Sequence, residues 1–206
     1  MKFAFVLPLL ALAVQADEPK PLRAGIIGLD TSHVLEFVHT LNKGAKNPAD
    51  NARIAGVKVV AAYPKGSKDI ESSTKRVPEY TAKVKAMGVE IADSIDELLK
   101  RVDVVFLESN DGRVHWKQLQ PVLAARKPVF VDKPLAGNLA DTLRIIEAAK
   151  KAKVPLFCAS SLRFGKTTQA VPVTSILPSA VVPRRTDLHP VPITVNSDSQ
   201  PCTPYQ

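Results

Sequence analysis

The chain has 206 residues, of which 45% are hydrophobic and 23% are charged. This composition is typical of a globular protein with one ordinary core, and it excludes a fibrous or wholly disordered chain. The formal net charge is +8, but the Lys and Arg residues are scattered, so we expect no nucleic acid among the partners. Two cysteines, Cys158 and Cys202, are too few for a disulfide framework or a zinc site.

The N-terminus has the pattern of a secretory signal peptide. Lys2 precedes an apolar run, and a small residue, Ala16, comes before an acidic start. A transmembrane anchor needs about 20 apolar residues, so this shorter run, which contains Pro8, favours a cleaved signal. We therefore predict a signal peptide over 1–16, a linker over 17–21 and an extracytoplasmic mature protein without a stable membrane anchor.

Strand and helix patterns alternate along the rest of the chain. Short apolar runs predict strands that are buried in a parallel sheet, and apolar residues at helical spacing predict the helices between them. This alternation predicts right-handed βαβ units and a doubly wound parallel sheet, a Rossmann-like α/β domain over residues 22–165. The predicted strands are 23–28, 54–63, 89–92, 102–107, 128–131 and 154–159, and the predicted helices are 33–43, 78–87, 95–101, 113–126 and one capped by Asn138, with Leu139, Leu143 and Ile146 on one face.

Polar segments follow most of the predicted strands. Ligands of such sheets bind outside the carboxyl ends of the strands. We therefore expect these segments to converge on one crevice. They are residues 28–33, 63–67, 108–112, 132–134 and 160–161.

The first of these segments is similar to a glycine turn that binds a dinucleotide pyrophosphate at a helix N-terminus. Gly28 matches the first glycine of that turn, but Asp30 and His33 occupy the positions of the second and third. A carboxylate beside a phosphate is repelled by about 3–4 kcal/mol. Either Asp30 turns away to cap the helix, or the ligand is not a conventionally bound dinucleotide.

Asp30, Thr31, Ser32 and His33 also admit a different interpretation. They could hold a polar ligand, or a metal through Asp30 and His33. Two candidate ligands three positions apart are weak grounds for a metal, and no metal site is predicted. In the alternative interpretation, Thr31 and Ser32 satisfy free N–H groups and His33 packs on the sheet edge.

The end of the second predicted strand bears on the choice of cofactor. A conventional NAD site has an acidic residue there, which holds the ribose hydroxyls. Here Tyr63 is followed by Lys65, Ser67 and Lys68. These side chains suit a 2′-phosphate, so NADP is slightly favoured over NAD.

Three motifs in order resemble one family. They are Gly25 to Gly28 after the leading strand, His115 opening a helix, and Val131-Asp132-Lys133-Pro134. Together they look like the N-terminal domain of the glucose-fructose oxidoreductase, inositol dehydrogenase and MocA family (Gfo/Idh/MocA), whose Glu-Lys-Pro motif here has Asp132 for Glu. The resemblance implies a Rossmann domain that binds NAD or NADP, usually followed by a second α/β domain that supplies substrate contacts and catalytic groups.

The same resemblance implies that Lys133 lies near the nicotinamide and the reacting hydroxyl, and that Pro134 shapes the turn. An ammonium there can stabilise a developing alkoxide, whereas the alternative is a surface lysine paired with Asp132. Lys133 is therefore the catalytic candidate. Cofactor contacts are expected from Gly28, Asp30, Thr31, Ser32, His33, Lys65, Ser67, Glu108, Ser109, His115, Asp132, Lys133 and Pro134.

The last part of the chain, residues 166–206, is Pro-rich and has little periodicity. We predict an irregular, disordered tail, either the end of a truncated member or a natural extension. The favoured function is a nicotinamide-nucleotide-binding domain of an oxidoreductase for sugar-like hydroxyl compounds that lacks its catalytic partner domain. The alternatives are an active oxidoreductase completed by another chain and an extracytoplasmic sugar-binding protein without redox activity.

Overall fold

The structure, a computed structural model, describes residues 20–160 together with Leu162, Gly165, Lys166 and Ala170. The predicted signal peptide and nearly all of the predicted tail lie outside these residues. Residues 20–160 belong to one compact unit of the chain. None of the helices in this described part combines the length and the hydrophobicity needed to cross a membrane.

In the described part of the chain, the strands form one parallel sheet. They are β1 (Leu22–Ile27), β2 (Val57–Tyr63), β3 (Glu90–Ile91), β4 (Val104–Leu107), β5 (Val129–Asp132) and β6 (Leu156–Ala159). Their order is β3-β2-β1-β4-β5-β6, and every pair of neighbours is parallel. The chain therefore winds outward from β1 in one direction and then outward from β4 in the other. The prediction of a doubly wound, Rossmann-like sheet is confirmed.

Helices cover both faces of the sheet. They are α1 (His33–Lys43), α2 (Asn51–Ile54), α3 (Glu71–Ala86), α4 (Ile95–Leu99), α5 (Gly112–Ala124) and α6 (Leu139–Ala152). Val34 and Val38 of α1 and Val84 of α3 are fully buried in the core on one face. A second core on the other face contains Leu98, Leu119 and Ile145, which come from α4, α5 and α6.

Most predicted boundaries lie within two residues of the observed ones, and two are wrong by three residues or more. Ile54 was expected to begin the second strand, but it ends α2, and β2 starts only at Val57, after Gly56. Pro78 was expected to open a helix, yet it lies inside α3, which begins at Glu71. Proline removes a single helical hydrogen bond, the one to the carbonyl of Thr74. Because Thr74 is exposed, water can satisfy that carbonyl, and the helix continues.

The apolar face predicted for α6 is not the face that packs on the sheet. Leu139 and Leu143 are 72% and 52% exposed, whereas Ile145 and Ala149 are buried in the core. Ala148 and Ala152 also pack against that core. Small alanine side chains allow a helix to approach its neighbour closely, so the position of α6 follows its alanine-rich side rather than its largest residues.

Candidate functional site

The carboxyl ends of β1, β2 and β4 are tied together by backbone hydrogen bonds. The N–H of Gly28 donates to the carbonyl of Tyr63 at 2.8 Å, and the N–H of Glu108 donates to the carbonyl of Ile27 at 2.8 Å. Side-chain contacts described below connect the end of β5 to the same group. The sheet therefore brings most of the predicted site residues to one edge.

Asp30 is fully buried and turns away from the start of α1. Its Oδ1 accepts from the N–H of Asn110 at 3.0 Å. Its other oxygen faces Gly66, where any Cβ would collide with the carboxylate. Asp30 does not cap α1, because the N-cap residue is Ser32 and the helix has no side-chain cap.

The N-terminus of α1 stays open toward the edge of the sheet. Within the described part of the chain, the N–H groups of Thr31 and Ser32 have no acceptor, and the N–H of His33 has only a 3.4 Å contact with the Thr31 hydroxyl. Such N–H groups, aligned with the helix dipole, attract an anionic group. The start of α1 can therefore bind a phosphate without removing an internal hydrogen bond.

Three titratable side chains meet between α1, β4 and β5. The Nδ1 of His33 lies 2.7 Å from the Oδ2 of Asp132. Glu108 is fully buried beside them, and neither of its carboxyl oxygens has a hydrogen-bond partner among the described residues. Burial, together with the charge of Asp132, raises the pKa of Glu108 to about 9, while the charge of Lys133 opposes the shift.

Lys133, the catalytic candidate, is exposed at the end of β5. The expected alternative was an ion pair with Asp132, but Asp132 pairs with His33 instead. The peptide bond from Lys133 to Pro134 is cis. The exposed ammonium of Lys133 is close enough to the buried carboxyl group of Glu108 for its charge to act on that group.

His115 is fully buried, and both of its ring nitrogens face backbone carbonyl oxygens. Its Nε2 lies 2.7 Å from the carbonyl of Ser109, and its Nδ1 lies 3.1 Å from the carbonyl of Leu135. The imidazole thus links the loop after β4 to the turn after β5. This contact fixes the position of the turn that carries Lys133.

A cleft of about 780 Å³ opens at the ends of β2 and β4. Lys65 and Lys68 are exposed at its rim. Ser67 is buried, and its hydroxyl donates to Asp111. The cleft is lined by Tyr63, Lys65, Gly66, Ser67, Lys68, Asp69, Ile95, Asp111, Arg113, Val114, Lys117, Gln118 and Pro121.

Gln118 joins two walls of this cleft. Its Oε1 accepts from the hydroxyl of Ser109 at 2.8 Å, and its Nε2 donates to the carbonyl of Lys65 at 3.1 Å. Gln118 was not among the predicted site residues. It lies in the middle of α5, and no local sequence signal separates it from an ordinary helix residue.

Asp111 and Arg113 were also missed. Asp111 is the N-cap of α5 and accepts from the N–H of Arg113 at 2.9 Å. The guanidinium of Arg113 binds Asp111 and also Asp69, at 3.0 Å. An Asp directly before a helical pattern is a cap signal, and it would have identified Asp111. The sequence predicts a helix from Arg113, which places Asp111 in the preceding loop, whereas α5 begins at Gly112.

Asp111→Asn is expected to lower the free energy of unfolding by about 2 kcal/mol at pH 7. Burial raises the pKa of Asp111, but hydrogen bonds from Arg113 and Ser67 outweigh it and lower the pKa to about 2. A depressed pKa stabilises the fold above the unfolded value near 4, and this stabilisation is lost as the pH falls toward 2. Urea unfolding should therefore show a difference about half as large near pH 3. The exposed control Asp93→Asn should change little, and equal losses for Asp111→Asn at pH 3 and pH 7 would contradict the prediction.

Comparison with known protein families matches residues 22–160 to the Gfo/Idh/MocA family, described as an oxidoreductase family with an NAD-binding Rossmann fold. The chain is 44% identical over 59 residues to an inositol 2-dehydrogenase of Gluconacetobacter diazotrophicus, covering 28% of this chain and 18% of that protein. It is 40% identical over 83 residues to a myo-inositol 2-dehydrogenase of Thermotoga maritima, covering 39% and 25%. The chain thus spans a quarter or less of the length of these curated relatives.

A solved structure shows the same fold. The WlbA dehydrogenase of Bordetella pertussis, in complex with NADH and UDP-GlcNAcA, has a TM-score of 0.54 at 21% identity, with 73% of this chain and 40% of that chain covered. The family match extends over most of this chain and over the whole parallel sheet. The chain therefore belongs to the Gfo/Idh/MocA oxidoreductase family and contains its NAD-binding Rossmann domain.

Proposed function

We propose that this chain is the nicotinamide-dinucleotide-binding part of an extracytoplasmic oxidoreductase for sugar-like hydroxyl compounds, and that it is catalytically incomplete by itself. The observation that carries this proposal is the open N-terminus of α1. A cleft opens at the ends of β2 and β4 along the same edge of the sheet. Phosphates bind at such helix starts, and the adenosine half of a dinucleotide lies beyond the end of the second strand in Rossmann domains.

The position of Asp30 supports a bound dinucleotide. Its carboxylate replaces a glycine of the usual fingerprint, and repulsion from a phosphate was the main objection to NAD or NADP. Because the side chain is fully buried and accepts from Asn110, it is directed into the protein. The N–H groups of Thr31 and Ser32 are then the groups that meet the pyrophosphate.

The charges at the rim of the cleft favour NADP over NAD as the cofactor. Lys65 and Lys68 are exposed at its rim. The acidic side chain nearest to them in sequence, Asp69, is paired with Arg113. A 2′-phosphate would therefore meet two cationic side chains, whereas a free ribose hydroxyl would gain less from them.

The redox chemistry that we propose depends on Lys133, which lies directly after β5. A bound nicotinamide would supply the hydride acceptor or donor. The Lys133 ammonium would stabilise the alkoxide that develops on a substrate hydroxyl and would exchange a proton with it. Relatives named inositol dehydrogenases support a polyol substrate. Because the chain spans a quarter or less of their length, we assign the remaining catalytic groups to another domain or another chain.

Lys65→Gln is expected to weaken NADP binding about fivefold and to leave NAD binding unchanged, because the lost charge faces only the 2′-phosphate. Isothermal titration of the purified chain with each nucleotide measures both affinities. The matched control is Lys58→Gln, an exposed lysine of β2, the strand that precedes Lys65. Equal affinity of the unmodified chain for NAD and NADP would contradict the preference for NADP.

Thermal unfolding separates the proposal from a sugar-binding function. Nucleotide at 100 times its dissociation constant stabilises a fold by about 2.7 kcal/mol, and myo-inositol alone should not stabilise this one. Stabilisation by myo-inositol without any effect of NAD or NADP would overturn the proposal. A change in nicotinamide absorbance with myo-inositol and the chain alone would show that the chain is catalytically complete.

A further inference from the structure

We propose that His33, Glu108 and Asp132 form a binding site for a divalent transition-metal cation of the zinc or manganese class. The three residues come from the start of α1 and from the carboxyl ends of β4 and β5. One donor atom of each lies within 4.8 Å of the other two. Zinc binds nitrogen and oxygen ligands at about 2.0–2.2 Å, so these donor atoms can surround one cation after small side-chain rotations.

Glu108 provides the second observation. Its side chain is fully buried, and neither of its oxygens has a hydrogen-bond partner in residues 20–160. Leaving a buried polar group unpaired costs about 1–3 kcal/mol, and more for a charged group. A cation held jointly with His33 and Asp132 would give the carboxyl group of Glu108 a partner and remove that cost.

Asp30 is not part of the proposed site. One of its oxygens also lacks a partner, but the other accepts from Asn110, and the carboxylate faces Gly66 across the end of β2. The pairing of Asp30 with His33 that the sequence suggested is therefore replaced by a different set of ligands, in which only His33 is retained.

The donor set selects the class of metal. One imidazole nitrogen with two carboxylates suits zinc, manganese or ferrous iron, whereas magnesium and calcium prefer oxygen ligands alone. Glu108 and Asp132 are buried, while the side chain of His33 is 44% exposed. Solvent thus reaches the cluster on the His33 side, which leaves room for water or an anionic ligand as a fourth donor.

Metal binding to the chelator-stripped chain tests the proposal. We expect one Mn²⁺ per chain by electron paramagnetic resonance and one Zn²⁺ by calorimetry, with Mg²⁺ unable to compete at equal concentration. Glu108→Gln and His33→Ala should each weaken binding by at least about tenfold. The matched controls are Glu147→Gln and His39→Ala, exposed residues of α6 and α1, and both should bind as the unmodified chain does.

Two results would overturn the inference. One is the absence of Zn²⁺ and Mn²⁺ binding at millimolar metal. The other is binding that persists unchanged in both Glu108→Gln and His33→Ala, which would place the metal elsewhere. His33→Ala keeps the test independent of the core, because this half-exposed side chain can be removed without opening a cavity. Circular dichroism of each variant checks that the fold is retained.

Discussion

Glu108→Gln is expected to stabilise the metal-free chain by about 3 kcal/mol at pH 7 and by less than about 1 kcal/mol at pH 5. The pKa of Glu108 is raised to about 9 in the folded protein by burial and by the charge of Asp132, whereas the unfolded value is near 4.5. The folded state must therefore take up a proton at pH 7. The free energy of unfolding of the native chain therefore falls as the pH rises from the unfolded pKa toward 9. A glutamine at this position does not titrate, so the variant avoids that loss.

Urea unfolding in the presence of a chelator measures this difference. The gain should increase by about 1.4 kcal/mol for each pH unit between pH 5 and pH 8. Glu147→Gln, an exposed glutamate of α6, should show no such slope. A gain of the same size at pH 5 and pH 7 would mean that Glu108 titrates alike in the folded and unfolded chains.

Gly28→Ala is expected to lower the free energy of unfolding by about 3 kcal/mol or more, from a positive φ angle combined with a steric clash. The φ angle of Gly28 is +89°, and an added Cβ would lie 2.6 Å from the backbone N and Cα of Ser109. Ser109 cannot move away easily, because it is fully buried and donates to Gln118. The clash lies between the ends of two neighbouring strands, β1 and β4.

Gly88→Ala is the matched control for this prediction. Gly88 also has a positive φ, +84°, but no atom lies within 4 Å of an added Cβ. Gly88→Ala should lower the free energy of unfolding only through the unfavourable positive φ angle, by about 1–2 kcal/mol. Equal losses in the two variants, measured by urea unfolding, would show that the contact with Ser109 does not restrict Gly28.

The strands and α1 could be predicted because their signals are local. Apolar runs identify the buried strands, and the predicted limits of α1, residues 33–43, agree with the structure. The start of α3 could not be placed, because proline favours the first turn of a helix over its interior, whereas Pro78 lies inside α3. The prediction of the packed face of α6 was wrong, because hydrophobic periodicity identifies a face by its large side chains, whereas α6 packs through the closely fitting side that carries its alanines.

The contacts of the candidate site depend on the order of the strands. His33 and Asp132 are 99 positions apart. They meet because His33 follows β1 and Asp132 ends β5, and a single strand, β4, separates β1 from β5 in the sheet. The motif residues Asp132 and Lys133 could be selected from the sequence alone. His33 and Glu108 could also be selected, because they follow predicted strands. The contacts among these residues could not be predicted, because the sequence does not show which side chain of one loop reaches the next loop, or that Glu108 would be buried without a partner.

The bridge formed by Gln118 affects the entropy of ligand binding. One amide holds the loop after β4 through Ser109 and the loop after β2 through Lys65. Both walls of the cleft are thereby ordered before a ligand arrives. A ligand that enters need not immobilise flexible loops, so less of its interaction energy is offset by lost conformational freedom. In this domain, a residue in the middle of a helix makes the cleft preorganised.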